Sequence, residues 1–242
     1  TGMMKATYGS GGFLLVNTGL KPIRSAHLLT TIAYDVQGEM AYGLEGSIYH
    51  AGTTLKWLRN NLKILPEYAD SEQFAKSVPN SSGVYFLPSF TSLGAPHWIK
   101  PAGACISGLT QGTQSEHIVR AALETIVFQT NDIMHCMQDD SSVPLRVLHA
   151  DGGMANNAWL LQYLASTCNI TVKRPSEVET TAFGAAMLAA VGCGHLESLS
   201  DVASYWSCGA TYTPDEQRDF YEQAYQGWVN MVASVKKGMD NS

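Results

Sequence analysis

Thr7-Tyr-Gly9-Ser10-Gly11-Gly12-Phe13, running on into Leu14-Leu-Val-Asn17, sets a glycine-rich corner between two strand-like runs. Much later, His149-Ala-Asp151-Gly152-Gly153-Met154-Ala-Asn156-Asn157 sets a glycine pair between a strand-like and a helix-like run. The first corner reads either as a tight hairpin that needs positive φ or as a nest of bare N–H groups around an anion, with the Ser10 hydroxyl at its tip. The second reads either as a βα turn capped by Asp151 or an asparagine, or as an anion site on a helix N-terminus. Neither corner completes G-x-x-x-x-G-K-[ST] or G-x-G-x-x-G, so a Walker loop and a dinucleotide fingerprint are set aside.

The pattern around the corners predicts an α/β fold. Strands are expected over 4–8, from 13 onward, over 28–34 and 40–44 with a turn at Gln37-Gly38, and over 83–88 and 105–109. Ile48, Ala51, Leu55, Leu58 and Leu62 share one helical face, predicting a helix over 48–62, with a weaker one over 71–78. Residues 89–104 read as an ordered loop. Thr113-Gln-Ser-Glu116 matches a capping box and predicts a long helix through about Met137. Strand and helix then alternate: strands over 145–150 and 170–173, helices over 156–167, 182–191, 198–205 and 214–236. A meander followed by alternating β and α elements implies one sheet with helices on its faces.

Composition narrows the function classes. Charged residues are 15% of the 242, below the roughly 25% of ordinary soluble domains, which predicts a large buried fraction and a face meant to pack on another domain. Net charge is −6 and no stretch concentrates Lys or Arg, so no nucleic-acid partner is expected. An anionic ligand must then be held mainly by backbone N–H groups. Five scattered cysteines without C-x-x-C, and seven dispersed histidines, predict reduced thiols and no metal site built by this chain. The longest apolar run, 182–191, is about half the ~20 residues of a spanning helix, so no membrane partner is expected. The chain reads as cytoplasmic. Its start on the lip of a strand reads as that of a fragment.

Four stretches carry a family resemblance: Thr7 to Gly19; Leu44-Glu-Gly-Ser-Ile-Tyr-His-Ala-Gly-Thr-Thr-Leu-Lys-Trp-Leu-Arg59; Phe90-Thr-Ser-Leu-Gly-Ala-Pro-His-Trp98; and Gly103-Ala-Cys-Ile-Ser-Gly-Leu109 leading to His117-Ile-Val-Arg-Ala-Ala-Leu-Glu124. The Asp151-Gly-Gly turn and Glu179-Thr-Thr-Ala-Phe-Gly-Ala-Ala186 complete it. From about Met3 to Trp228 the chain resembles the C-terminal domain of the FGGY carbohydrate kinases, and Leu93-Gly-Ala-Pro-His-Trp98 favours the glycerol-phosphorylating branch.

The resemblance implies an actin-like ATPase (ribonuclease H-like) domain, a mixed sheet with helices on both faces, over residues 1–242. It implies ATP and Mg2+ as cofactors, glycerol or a similar polyol as the small-molecule partner, and a homo-oligomer in the full-length form. Ser10 stands where the family has a threonine touching the nucleotide phosphates. Gly52 would line the nucleotide cleft, and Gly153 and Asn157 would hold the nucleoside end. Phe13 matches an aromatic near the polyol. Lys56 replaces a nucleotide-contacting glutamine and either strengthens phosphate attraction or is merely solvated. Ile99-Lys100 replaces a usual Asp-Pro pair. The family's catalytic aspartate lies in a Gly-Asp-x-Gln motif, which is absent from these residues. No catalytic residue is therefore assigned, the metal carboxylates are expected from another domain, and the chain alone is expected to be inactive. A kinase of a related sugar and a non-catalytic nucleotide-binding or docking module remain as alternatives.

Overall fold

The computed structural model describes residues 1–36, 38–100 and 103–240. β1 (Met4–Tyr8) and β2 (Gly12–Gly19) form the hairpin around the first glycine corner, and β3 (Leu29–Val36) and β4 (Glu39–Ile48) extend it. After α1 (Gly52–Trp57) and α2 (Asp70–Ser77), β5 (Tyr85–Leu87) and β6 (Cys105–Ser107) pair as a separate ribbon. Then follow α3 (Ser115–Ser141), β7 (Val147–Asp151), α4 (Ala158–Cys168), β8 (Thr171–Pro175), α5 (Thr180–Gly192), α6 (Leu199–Val202), β9 (Cys208–Tyr212) and α7 (Arg218–Asp240).

The main sheet is seven-stranded, in the order β3-β4-β2-β1-β7-β8-β9. β1 pairs antiparallel with β2 but parallel with β7, with Thr7 opposite Asp151, and β7 pairs parallel with β8. The sheet is therefore mixed. Parallel register at β1 and β7 makes the chain leave both strands at the same end, so the two glycine corners emerge side by side. In open α/β sheets this C-terminal edge is where ligands collect.

Alternation decides which side chains meet the core. Met4, Ala6 and Tyr8 of β1, Leu14 and Val16 of β2, and Leu148 and Ala150 of β7 are buried together against α3 and α4. At 27 residues α3 is about 40 Å long, and it carries buried residues through most of its length. Within it Arg120 and Glu124 form a buried ion pair at 2.8 Å, while Arg120 also donates to the carbonyls of Ala75 and Val78 at the end of α2. Burial raises the Glu124 carboxyl above its ordinary range although the Arg120 charge pulls it back. On the opposite face of the sheet, Lys5, Leu15 and His149 line a hollow with Phe183 of α5 and with Trp206, so helices lie on both faces.

Several sequence expectations shift. The helix expected over 48–62 begins only at Gly52, because Ile48 is still paired in the sheet opposite Gly12. Apolar spacing runs unbroken through that strand–helix junction, since Ile48 and Leu55 both face the core. The same helix ends in a wider turn, Leu58–Leu62, where Leu62 is 42% exposed rather than on the buried face. The cap of α3 is Gln114, not Thr113: His117 Nδ1 accepts the Gln114 N–H at 3.1 Å, and Thr113 Oγ1 serves the Thr110 N–H instead. β9, antiparallel to β8 at the sheet edge, was hidden in sequence because Cys208-Gly-Ala-Thr-Tyr212 is mostly exposed and lacks an apolar face. Of the turn expected at Gln37-Gly38, Gln37 lies outside the described residues; so do Pro101 and Ala102 of the expected loop. Among the described residues no helix is long and apolar enough to cross a membrane.

Candidate functional site

Between the two corners lies an open cleft of about 670 Å3. Ser10, Gly52, Lys56, Gly153 and Asn157 all line it, together with Thr53, Tyr68, Ser71, Glu72 and Met154. Five positions far apart in sequence are thus brought to one concavity by the parallel pairing of β1 with β7. Phe13 is not among them. It points to the other side of β2, is 55% exposed, and stands opposite Ser47.

The first corner is held by its own carbonyls. Ser10 O accepts from the N–H groups of Ala51 and Thr53 and from Thr53 Oγ1, each at 3.0 Å, and Gly9 O accepts from Gly52 N–H at 3.0 Å. The N–H groups opening α1, which have no partner within the helix, are consequently satisfied by the hairpin and do not face the cleft. What Gly52 contributes is the lack of a side chain: a Cβ there would sit 2.6 Å from Gly9 O and 3.4 Å from Met154 Sδ. Among the described residues no hydrogen bond uses Ser10 Oγ or the N–H groups of Ser10 and Gly11. These are the donors left for an anion. Next to Thr53, His50 bonds Thr91 Oγ1 at 3.0 Å, and burial holds its imidazole below the usual histidine range.

The second corner is packed onto the first. Gly152, at φ 84 and ψ 170, donates to Val178 O and presses against the Tyr8 backbone. Tyr8 is fixed in turn by its phenol, 2.9 Å from Thr130 Oγ1 of α3. Gly153 opens a single 3-10 turn and has nothing within 4 Å of where a Cβ would stand. Asn157, not Asp151, caps α4 by accepting the Leu160 N–H at 2.9 Å, while its Nδ2 donates to Ser71 Oγ at 3.3 Å. Asp151 turns away from the cleft and is held by Lys5 Nζ at 3.1 Å and by the Thr180 hydroxyl.

Charge on the cleft wall is sparse. Lys56 is exposed and carries no hydrogen bond or ion pair among the described residues. Among the described residues Glu72 is the one carboxylate on the wall, and each of its oxygens already accepts a hydrogen bond, Oε1 from Lys76 Nζ at 2.5 Å and Oε2 from the Ala158 N–H at 3.0 Å. A divalent cation, which prefers several free oxygen ligands, does not fit this wall alone. Sequence reasoning missed Tyr68, Ser71 and Glu72, whose only local signal is a weak amphipathic helix after Tyr68 and whose distance in sequence from Asn157 conceals that they meet it. Met154 stood in the quoted second corner but was given no role.

Comparison with known proteins follows the same outline. The profile of the FGGY family of carbohydrate kinases, C-terminal domain, matches residues 4–193. The chain is 44% identical over 237 residues to a glycerol kinase of Alkaliphilus oremlandii, covering 98% of this chain and 47% of that protein. With a glycerol kinase of Petrotoga mobilis it shares 43% over 240 residues, or 99% and 48% of the two. A crystal structure of Plasmodium falciparum glycerol kinase with ADP matches at TM-score 0.87 and 35% identity over 96% of this chain and 47% of that one. A gluconate kinase from Lactobacillus acidophilus matches in fold, at TM-score 0.82 and 23% identity over 97% and 48%. The chain spans about half the length of the curated relatives it matches.

Proposed function

This chain belongs to the FGGY family of carbohydrate kinases, and from that premise we propose that it forms the nucleotide wall of an ATP-dependent glycerol kinase. The observation that carries the proposal is the open cleft between two glycine corners in a chain 44% identical to a glycerol kinase. The Ser10 hydroxyl and the free N–H groups of Ser10 and Gly11 take phosphate oxygens, and Gly153 and Asn157 line the nucleoside end. Phosphoryl transfer from ATP to an alcohol depends mostly on positioning and charge neutralisation. This wall supplies the positioning of the donor. Mg2+, when bound with the nucleotide, neutralises phosphate charge; its carboxylate ligands come from elsewhere, because Glu72 is already engaged. The base and the polyol site come from a second half.

That half covers α5 and the sheet face beside it. Thr180–Gly192 contains no charged residue, yet only Val191 of the helix is buried. An apolar helix is normally enclosed, and Leu188 is 43% exposed here. Calorimetric titration of the chain with Mg·ATP is expected to give weak binding, and a coupled assay no turnover. An intact protein containing this chain is expected to phosphorylate glycerol in preference to ketoses. Tight binding or turnover by the chain alone, or a preference for a ketose, overturns the proposal.

Lys56 gives a second prediction. A cation about 4 Å from a phosphate charge contributes about 1 kcal/mol in water-like surroundings, roughly fivefold in affinity. Lys56→Gln is expected to weaken Mg·ATP binding to that extent at low ionic strength and to flatten its salt dependence. A titration at two salt concentrations reads both effects, and an unchanged slope assigns Lys56 to solvent.

A further inference from the structure

Tyr68 lines the cleft, and Arg59, which stacks over its ring, lines a shallow depression with Lys63 and Pro66. The Arg59 guanidinium lies 5.2 Å from the Tyr68 ring centroid. It is tethered there by Nη2 to Glu67 at 3.0 Å and by Nε to Pro66 O at 3.0 Å. A cation over an aromatic face is attracted by the ring quadrupole, so Arg59 favours this position of the ring while it remains 43% exposed.

The backbone locates Tyr68 along the cleft. Ser71 Oγ donates to Tyr68 O at 2.7 Å and accepts from Asn157 Nδ2 at 3.3 Å. Tyr68 thus stands one serine away from Asn157, at the end of the cleft opposite in role to Ser10. An exposed aromatic at the edge of a concavity, with a cation against its ring, offers a flat apolar surface to a planar ligand.

We propose that Tyr68 is the stacking platform for the nucleotide base, with Arg59 as the residue that positions the ring. The proposal rests on the kinase reading above and adds to it a residue that sets base preference. Stacking strength follows the area of the π-face, so a purine is favoured over a pyrimidine. Base–aromatic stacking of the usual strength corresponds to about fivefold or more in affinity.

Ligand-observed NMR titrations of the chain with ADP and with UDP test this. Tyr68→Ala is expected to weaken ADP by at least about fivefold and UDP by less, so that the ADP:UDP ratio falls toward unity. Tyr68→Phe keeps the ratio of the unaltered chain. If Tyr68→Ala leaves ADP affinity unchanged, or weakens ADP and UDP alike, the stacking role is wrong while the kinase reading stands. If the unaltered chain binds neither nucleotide at millimolar concentration, both fall together.

Discussion

Gly152→Ala is expected to destabilise the chain by about 2–6 kcal/mol and to abolish nucleotide binding with it. Two costs act at the same atom. The backbone sits at φ 84 and ψ 170, a region open essentially to glycine alone, which costs about 1–3 kcal/mol for any other residue. The added Cβ would also lie 2.5 Å from Tyr8 O and 2.9 Å from Tyr8 C, atoms of a strand end that cannot retreat because its phenol is bonded into α3. Forcing such an overlap typically costs a further 1–3 kcal/mol or so. For a chain of this size the midpoint of thermal unfolding should fall by roughly 4–24 °C. Gly153→Ala is the control: a Cβ there meets nothing within 4 Å, so the midpoint should hold while the side chain narrows the cleft. Equal losses of stability for the two variants would show that the corners are not pressed together.

The second large effect is expected at Asp132, on the far side of α3 from the cleft. Its carboxylate takes three donors: Trp228 Nε1 at 2.9 Å, Tyr225 OH at 2.5 Å and His97 Nε2 at 2.8 Å. Lys236 donates to His97 Nδ1 at 3.3 Å, which leaves the ring proton on Nε2 for Asp132. Trp228 is fully buried, and so its N–H would have no water to turn to. Hydrogen bonds to a charged group contribute about 1.5–3 kcal/mol each, and a buried donor left alone costs about 1–3 kcal/mol. Asp132→Ala should therefore cost about 3–5 kcal/mol, read by denaturant unfolding, and should free both α7 and the Phe90–Trp98 loop. Asp132→Asn keeps one acceptor oxygen and should fall between. A loss below about 1 kcal/mol in the alanine variant would mean that the three bonds are individually dispensable.

Much of this architecture was legible before folding. The β1–β2 hairpin, the long helix of 115–141, the alternation of strand and helix after Leu145, and both glycine corners follow from local spacing. Ser10, Gly52, Lys56, Gly153 and Asn157 came instead from the family resemblance, and the fold brings all five to one cleft. Local rules failed where two elements share one core. Ile48 was given to the helix because its apolar side chain fits either period, and only its pairing with Gly12 makes it strand. The cap of α3 was misplaced by one residue because His117 can accept a backbone N–H as well as Glu116 can.

The amino-acid order by itself determined most element types and the two glycine corners, since period and β-branching are properties of a few neighbouring residues. Of the corner glycines only Gly152 sits at positive φ, whereas Gly11 is required because a Cβ there would stand 2.7 Å from Ile48 O. Tertiary structure alone decided that the bends lie side by side, that Gly52 serves by bare space while its N–H is spent on Gly9 O, and that Tyr68, Ser71 and Glu72 meet Asn157. The physical reason is one of range. Strand register and side-chain packing join residues more than eighty positions apart, and no local pattern carries the geometry of a contact between them.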